Sequence, residues 1–186
     1  LAIENVNLLK DLITAETPLI GIEPSAILSF RDEYVDLVPE NLRMAARKLG
    51  ENALLIEEFI AQEIENKHIS KSLFTTEKRK IRLHGHCHQK ALSNMVAPKR
   101  MLSIPENYTV QLIPSGCCGM AGSFGYETEH YEVSMKVGEL VLFPTVRQEA
   151  EEVIIAAGGT SCRHQIKDGT GRKAKHPVEI LFEALK

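Results

Sequence analysis

The stretch YTVQLIPSGCCGMAGSFG, residues 108–125, decides how this chain is read. It opens with an apolar run of strand type and passes into a loop where Cys117 and Cys118 stand side by side between glycines. The chain has two other cysteines. Cys87 lies upstream in LHGHCHQ, residues 83–89, and Cys162 downstream in GGTSCRHQ, residues 158–165. Each follows a short apolar run and precedes a helical pattern. Strands alternating with helices indicate an α/β layer fold with a parallel sheet and right-handed crossovers. In open parallel sheets ligands bind beyond the carboxyl ends of the strands. All four cysteines should therefore gather at one sheet edge.

Working outward, residues 19–22, 80–83, 108–113 and 153–157 are the strand candidates, giving a four-stranded parallel sheet flanked by helices. Residues 3–13 carry apolar side chains at helical spacing. Residues 25–34 follow Glu23 and Pro24 as a first crossover helix capped by Ser25. Residues 40–67 form a strong helical pattern that Gly50 can split. Further helices are expected at 89–102, interrupted near Pro98, at 127–143, from Pro144 to about 152, and at 177–185. The chain reads as one cysteine-rich α/β domain over 1–186, with 1–70 the candidate end of a preceding cysteine-rich half. Its first residue is Leu, within a helical pattern, so a piece of a longer polypeptide is expected.

Composition narrows the function classes. A formal net charge of -3 offers no electrostatic footprint for nucleic acid or an acidic membrane. Aromatics are 5% with no Trp, which argues against base stacking. No apolar run approaches the ~18 residues of a membrane span. Four cysteines without a secretory signal point to a reducing compartment, the cytoplasm, where clustered thiols bind metal or do redox work. Thiolates suit iron–sulfur clusters or zinc, and four meet the ligand count of either. Glycines around Cys117 and Cys118, Gly119 among them, let backbone N–H groups approach sulfur. Gly119, Gly122 and Gly125 lack the Lys-Ser/Thr of a phosphate-binding loop and read as backbone shaping. Of the histidines bordering the cysteines (His84, His86, His88, His164), each reads first as a packing residue or a hydrogen-bonding neighbour of the ligands. His86 and His164 are the candidates to replace a thiolate. Inert buried thiols and a metal-free thiol–disulfide site are the other readings.

Cys87, Cys117-Cys118-Gly119 and Cys162, with their surrounding residues 86–89, 116–125 and 161–165, resemble the cysteine-rich CCG domain. That domain occurs in heterodisulfide reductase and in the iron–sulfur subunits of glycolate oxidase and anaerobic glycerol-3-phosphate dehydrogenase. The wording is most similar to the C-terminal region of large FAD-linked oxidases, as are residues 21–25 and 31–34. The resemblance spans nearly the whole chain. It implies an electron-transfer domain of an oxidoreductase acting on a small 2-hydroxy acid such as glycolate, D-lactate or 2-hydroxyglutarate. FAD would be held by a flavin domain in the same polypeptide, and electrons would leave through iron–sulfur centres to an acceptor. Cys87, Cys117, Cys118 and Cys162 would hold a centre of the 4Fe-4S type; a zinc-stabilised docking domain is the alternative. The sequence departs from the family at two places. Gln165 stands where the last motif often has a second cysteine, and Ala26 where relatives commonly carry one. Both reduce the ligand number and favour a four-thiolate cubane or zinc over a noncubane cluster. Ala26 is expected near the cysteine edge.

Overall fold

The computed structural model describes all 186 residues. Five strands form two parallel sheets. β1 (Leu19–Gly21) pairs with β2 (Ala53–Leu55). β3 (Arg79–His84) lies between β4 (Tyr108–Leu112) and β5 (Ile154–Ala157). This corrects the expected four-stranded sheet. The helix anticipated over 40–67 is two helices, α4 (Glu40–Glu51) and α5 (Ile56–Glu65), with β2 between them. α4 ends where Gly50 packs directly under the Phe30 carbonyl, so closely that a Cβ there would meet the oxygen at 2.5 Å. Asn52 then leaves helical geometry, and Ala53 and Leu55 are buried. β1 thus finds a partner only about thirty residues downstream and never joins the larger sheet.

Around the small sheet lie α1 (Ala2–Leu9), α2 (Pro24–Ile27), α3 (Glu33–Leu37) and α4. Val6, Val38, Leu42, Ala46 and Leu49 form one core there, and Ile27, Leu28, Ala53 and Leu55 another. The three-stranded sheet carries α6 (Cys87–Leu92) and α7 (Val96–Leu102) after β3. The break falls at residues 93–95, ahead of Pro98, because proline is tolerated in a first helical turn. After β4 come α8 (Tyr131–Leu140) and α9 (Leu142–Gln148), and after β5 come α10 (Thr160–Thr170) and α11 (Pro177–Glu183).

Strand alternation sorts the larger sheet's side chains between two cores. Ile81, Leu83, Val110 and Ala156 face a core with Met101, Leu102, Ile180 and Leu181. Ile155 and Ala157 face the other, with Ile113, Cys118, Cys162, Phe143 and Ile166. Arg82 is in register with Ile155, and His84 with Ala157. His84 therefore points to the face that holds Cys118 and Cys162. The outer edge of β5 is covered by Lys175, whose N–H donates to Ile155 O and whose carbonyl accepts from Ala157 N–H. The sheet's open edge is β4, and no helix of the molecule is long and apolar enough to cross a membrane.

Candidate metal centre

All four cysteines are free thiols, and they come from the ends of three strands. Cys87 opens α6 immediately after β3 and is exposed. Cys117 and Cys118 follow β4; the first is half-buried and the second buried. Cys162 lies in the first turn of α10 after β5 and is buried. Cys118 Sγ and Cys162 Sγ lie within 4.8 Å of each other, Cys117 packs against the core that holds both, and Cys87 shares a cleft with Cys118. Thiol partners and burial push Cys87 and Cys118 up. Hydrogen bonds from Cys118 and Cys87 hold Cys117 down. The Cys118 hydrogen bond lowers Cys162 against its burial, helped by His84.

The loop around the cysteine pair is held from three sides. Lys90 Nζ donates to Ser115 O at 2.7 Å and to Gly116 O, tying the loop to α6 three residues after Cys87. Gly119 N–H donates to Cys117 Sγ at 3.3 Å. Gly119 adopts φ 102°, and a Cβ there would drive into the Ser134 carbonyl of α8, so only glycine fits. Gln165 is buried, and its Nε2 donates to Ser134 Oγ at 2.9 Å and Ser134 O at 3.2 Å. Gln165 therefore ties α10 to α8 beside Gly119.

The histidines part company. His164 is exposed, and its Nδ1 shares a 2.7 Å hydrogen bond with Tyr126 Oη. This argues against it as a substitute ligand. His86 is buried beside Gly159 near Cys162, and its Nδ1 accepts the His88 N–H at 3.2 Å as the cap of α6. His88 lies 3.8 Å from Glu33 at the mouth of a cleft of about 480 Å³. Ser25, Glu33, His86, Cys87, His88 and Cys118 line that cleft. Ser25 reaches the cleft, whereas Ala26 lines an apolar groove beside β1 with Leu19, Ile22 and Phe30.

His84, given no special role from the sequence, is 1% exposed. One of its ring nitrogens lies within 4.8 Å of both Cys118 Sγ and Cys162 Sγ. Its Nδ1 is 2.7 Å from Ser115 Oγ, and its Nε2 has no partner. The signal available in the sequence was strand alternation: a polar residue at the end of β3, on the face opposite Ile81 and Leu83. The smaller sheet is fastened to this site by Glu23. Its carboxylate accepts from Thr160 N–H at 2.8 Å and Thr160 Oγ1 at 2.9 Å, at the start of α10. Burial raises the Glu23 pKa, but the bonds from Thr160 and Ser25 outweigh it and hold it low.

The relatives of this chain include dehydrogenases of two kinds. The chain is 30% identical over 172 residues to D-2-hydroxyglutarate dehydrogenase of Escherichia coli (strain K12), covering 91% of this chain and 16% of that protein. The Pantoea ananatis (strain AJ13355) D-2-hydroxyglutarate dehydrogenase is 31% identical over 172 residues, covering 90% of this chain and 16% of the relative. One subunit of the anaerobic glycerol-3-phosphate dehydrogenase of Escherichia coli (strain K12) is 24% identical over 186 residues, covering 99% of this chain and 45% of that subunit. The chain thus spans 16% of the length of the two D-2-hydroxyglutarate dehydrogenases. No family model and no solved structure matches.

Proposed function

We propose that this chain is the iron–sulfur electron-transfer domain of an FAD-linked dehydrogenase acting on a small 2-hydroxy acid, of which 2-hydroxyglutarate is the leading candidate. The observation that carries the reading is that Cys87, Cys117, Cys118 and Cys162 follow three neighbouring strand ends, with Cys118 and Cys162 Sγ within 4.8 Å, Cys117 packed against them and Cys87 sharing a cleft with Cys118. The matches to D-2-hydroxyglutarate dehydrogenases support the substrate class.

The donor set fits a multi-metal centre better than a single ion. Only Cys118 and Cys162 meet within 4.8 Å beside His84, and soft sulfur donors spread over several positions suit a cluster whose metal atoms are themselves spread out. Such a cluster accepts and passes on one electron at a time. The chain's own residues do the rest. The four cysteines bind, and Lys90 and Gly119 fix the loop that carries two of them. The Gly119 N–H offsets negative charge on Cys117 Sγ, a contact that raises the potential of an iron–sulfur centre. Burial of Cys118 and Cys162 excludes water from one side, while exposed Cys87 leaves the other open to an electron partner. Hydride abstraction belongs to a flavin domain elsewhere in the same polypeptide, and the electrons pass on to a separate acceptor.

The test is purification without oxygen, followed by reconstitution with iron and sulfide. Stoichiometric iron and sulfide, visible charge-transfer absorption and an EPR signal on reduction are expected. A colourless protein that takes up one zinc and refuses iron and sulfide would instead establish a zinc-stabilised docking domain.

A further inference from the structure

We propose that His84 is a ligand of this centre through Nε2, an imidazole donor beside Cys118 and Cys162. The inference rests on reading the four cysteines as a metal centre, and it adds a donor outside the cysteine motifs.

Three observations carry it. His84 is buried and on the sheet face of Cys118 and Cys162, with a ring nitrogen within 4.8 Å of both sulfurs. Its Nε2 is buried without any hydrogen-bond partner. A buried polar nitrogen left unpaired carries a desolvation cost, so such atoms normally have a partner that the protein alone does not supply. The third is the orientation of the ring. Nδ1 lies 2.7 Å from Ser115 Oγ, itself buried and two residues before Cys117. With Nδ1–H donating to Ser115 Oγ, the lone pair of Nε2 is free to bind metal. Metal-binding histidines characteristically have their second nitrogen held in this way. The other histidines lack the combination. His164 is turned outward to Tyr126, and His86 uses Nδ1 to cap α6.

Ser115 belongs to the same loop that Lys90 anchors. The residue orienting the imidazole and the two cysteines of the loop therefore move as one piece. A change that displaces the loop removes two thiols and the hydrogen bond that orients the imidazole together.

The test uses the whole chain in two forms. Zinc-loaded protein is studied by X-ray absorption, and the iron–sulfide-reconstituted protein by pulsed EPR after labelling histidine with ¹⁵N. Wild-type protein should show imidazole scattering around zinc and a directly coordinated nitrogen coupling in the reduced cluster. His84→Gln, which keeps a polar side chain of similar reach without the ring, should abolish both, whereas His86→Gln should retain them. Ser115→Ala, which leaves the imidazole in place, should weaken zinc binding by roughly tenfold or more. Circular dichroism establishes that each variant is folded. If iron and sulfide are refused but the zinc signature depends on His84, the cluster reading fails and the ligand assignment stands. A cluster or zinc site whose nitrogen signal is absent, or unchanged in His84→Gln, overturns the assignment; so does failure of the wild type to bind either metal.

Discussion

Glu57 offers the sharpest test of the energetics. It sits in the first turn of α5, fully buried, with neither carboxylate oxygen hydrogen-bonded. The nearest ring, His176, has Nε2 at 4.0 Å but cannot serve as a cation. Its Nε2–H donates to Ile22 O at 2.9 Å, and its Nδ1 accepts the Val178 N–H at 3.1 Å, which fixes the neutral tautomer. Burial, with Glu58 and Glu23 nearby, raises Glu57 from 4.5 to about 7, despite its own backbone N–H. A raised carboxylate pKa means the folded state holds the proton more tightly than the unfolded chain. Stability from this group is full below about 4.5, declines as pH rises, and is lost once pH passes about 7. At about 1.4 kcal/mol per pH unit of difference, the loss is of order 3 kcal/mol. Glu57→Gln removes the ionisation. The variant should match wild type near pH 4.5 and exceed it by about 2–3 kcal/mol at pH 8. Urea unfolding of the metal-free chain from pH 4.5 to 8.5 reads this, and the difference between variant and wild type cancels the opposing contribution of His176. A difference that is flat with pH, or a Gln variant less stable than wild type at pH 8, would refute the claim that Glu57 is buried without a partner.

Two further substitutions probe the loop. Lys90→Met should leave the sheet intact but release the Ser115 and Gly116 carbonyls. Loss of a charge-assisted bond is worth about 2 kcal/mol, so cluster retention or zinc affinity, measured by competition with a chelator, should fall by roughly tenfold to a hundredfold. Gly119→Ala forces a side chain into a left-handed backbone against Ser134. It should lower stability by at least about 2 kcal/mol in thermal unfolding, and an unchanged melting temperature would mean that the loop has another accessible conformation.

Much of the larger sheet was legible in the sequence because β3, β4 and β5 are apolar runs closed by turns, each leading to a helix. The cysteines fell at strand ends for the same reason. β2 was hidden. Its three residues continue an apolar helical spacing, and only Gly50 and Asn52 hint at a break. Which strand pairs with β1 is decided by tertiary contact, so the division into two sheets could not be read from the runs alone. Helical periodicity in α10 would have sorted its residues: Cys162, Gln165 and Ile166 share the buried face, and His164 turns away from it. The role of Gln165 as a brace depends on Ser134, some thirty residues away, and leaves no local trace. His84 was obscured by its own neighbourhood, since three histidines in five residues look alike until strand register separates them.

The Glu23–Thr160 contact joins the smaller sheet to the helix turn that carries Cys162. Thermodynamic linkage then runs in both directions. If the contact opens and closes, a partner that holds it closed tightens the hold on whatever Cys162 binds, and occupancy at Cys162 favours the contact by the same factor. A neighbouring domain pressing on the first fifty residues could therefore tune the centre without touching a sulfur.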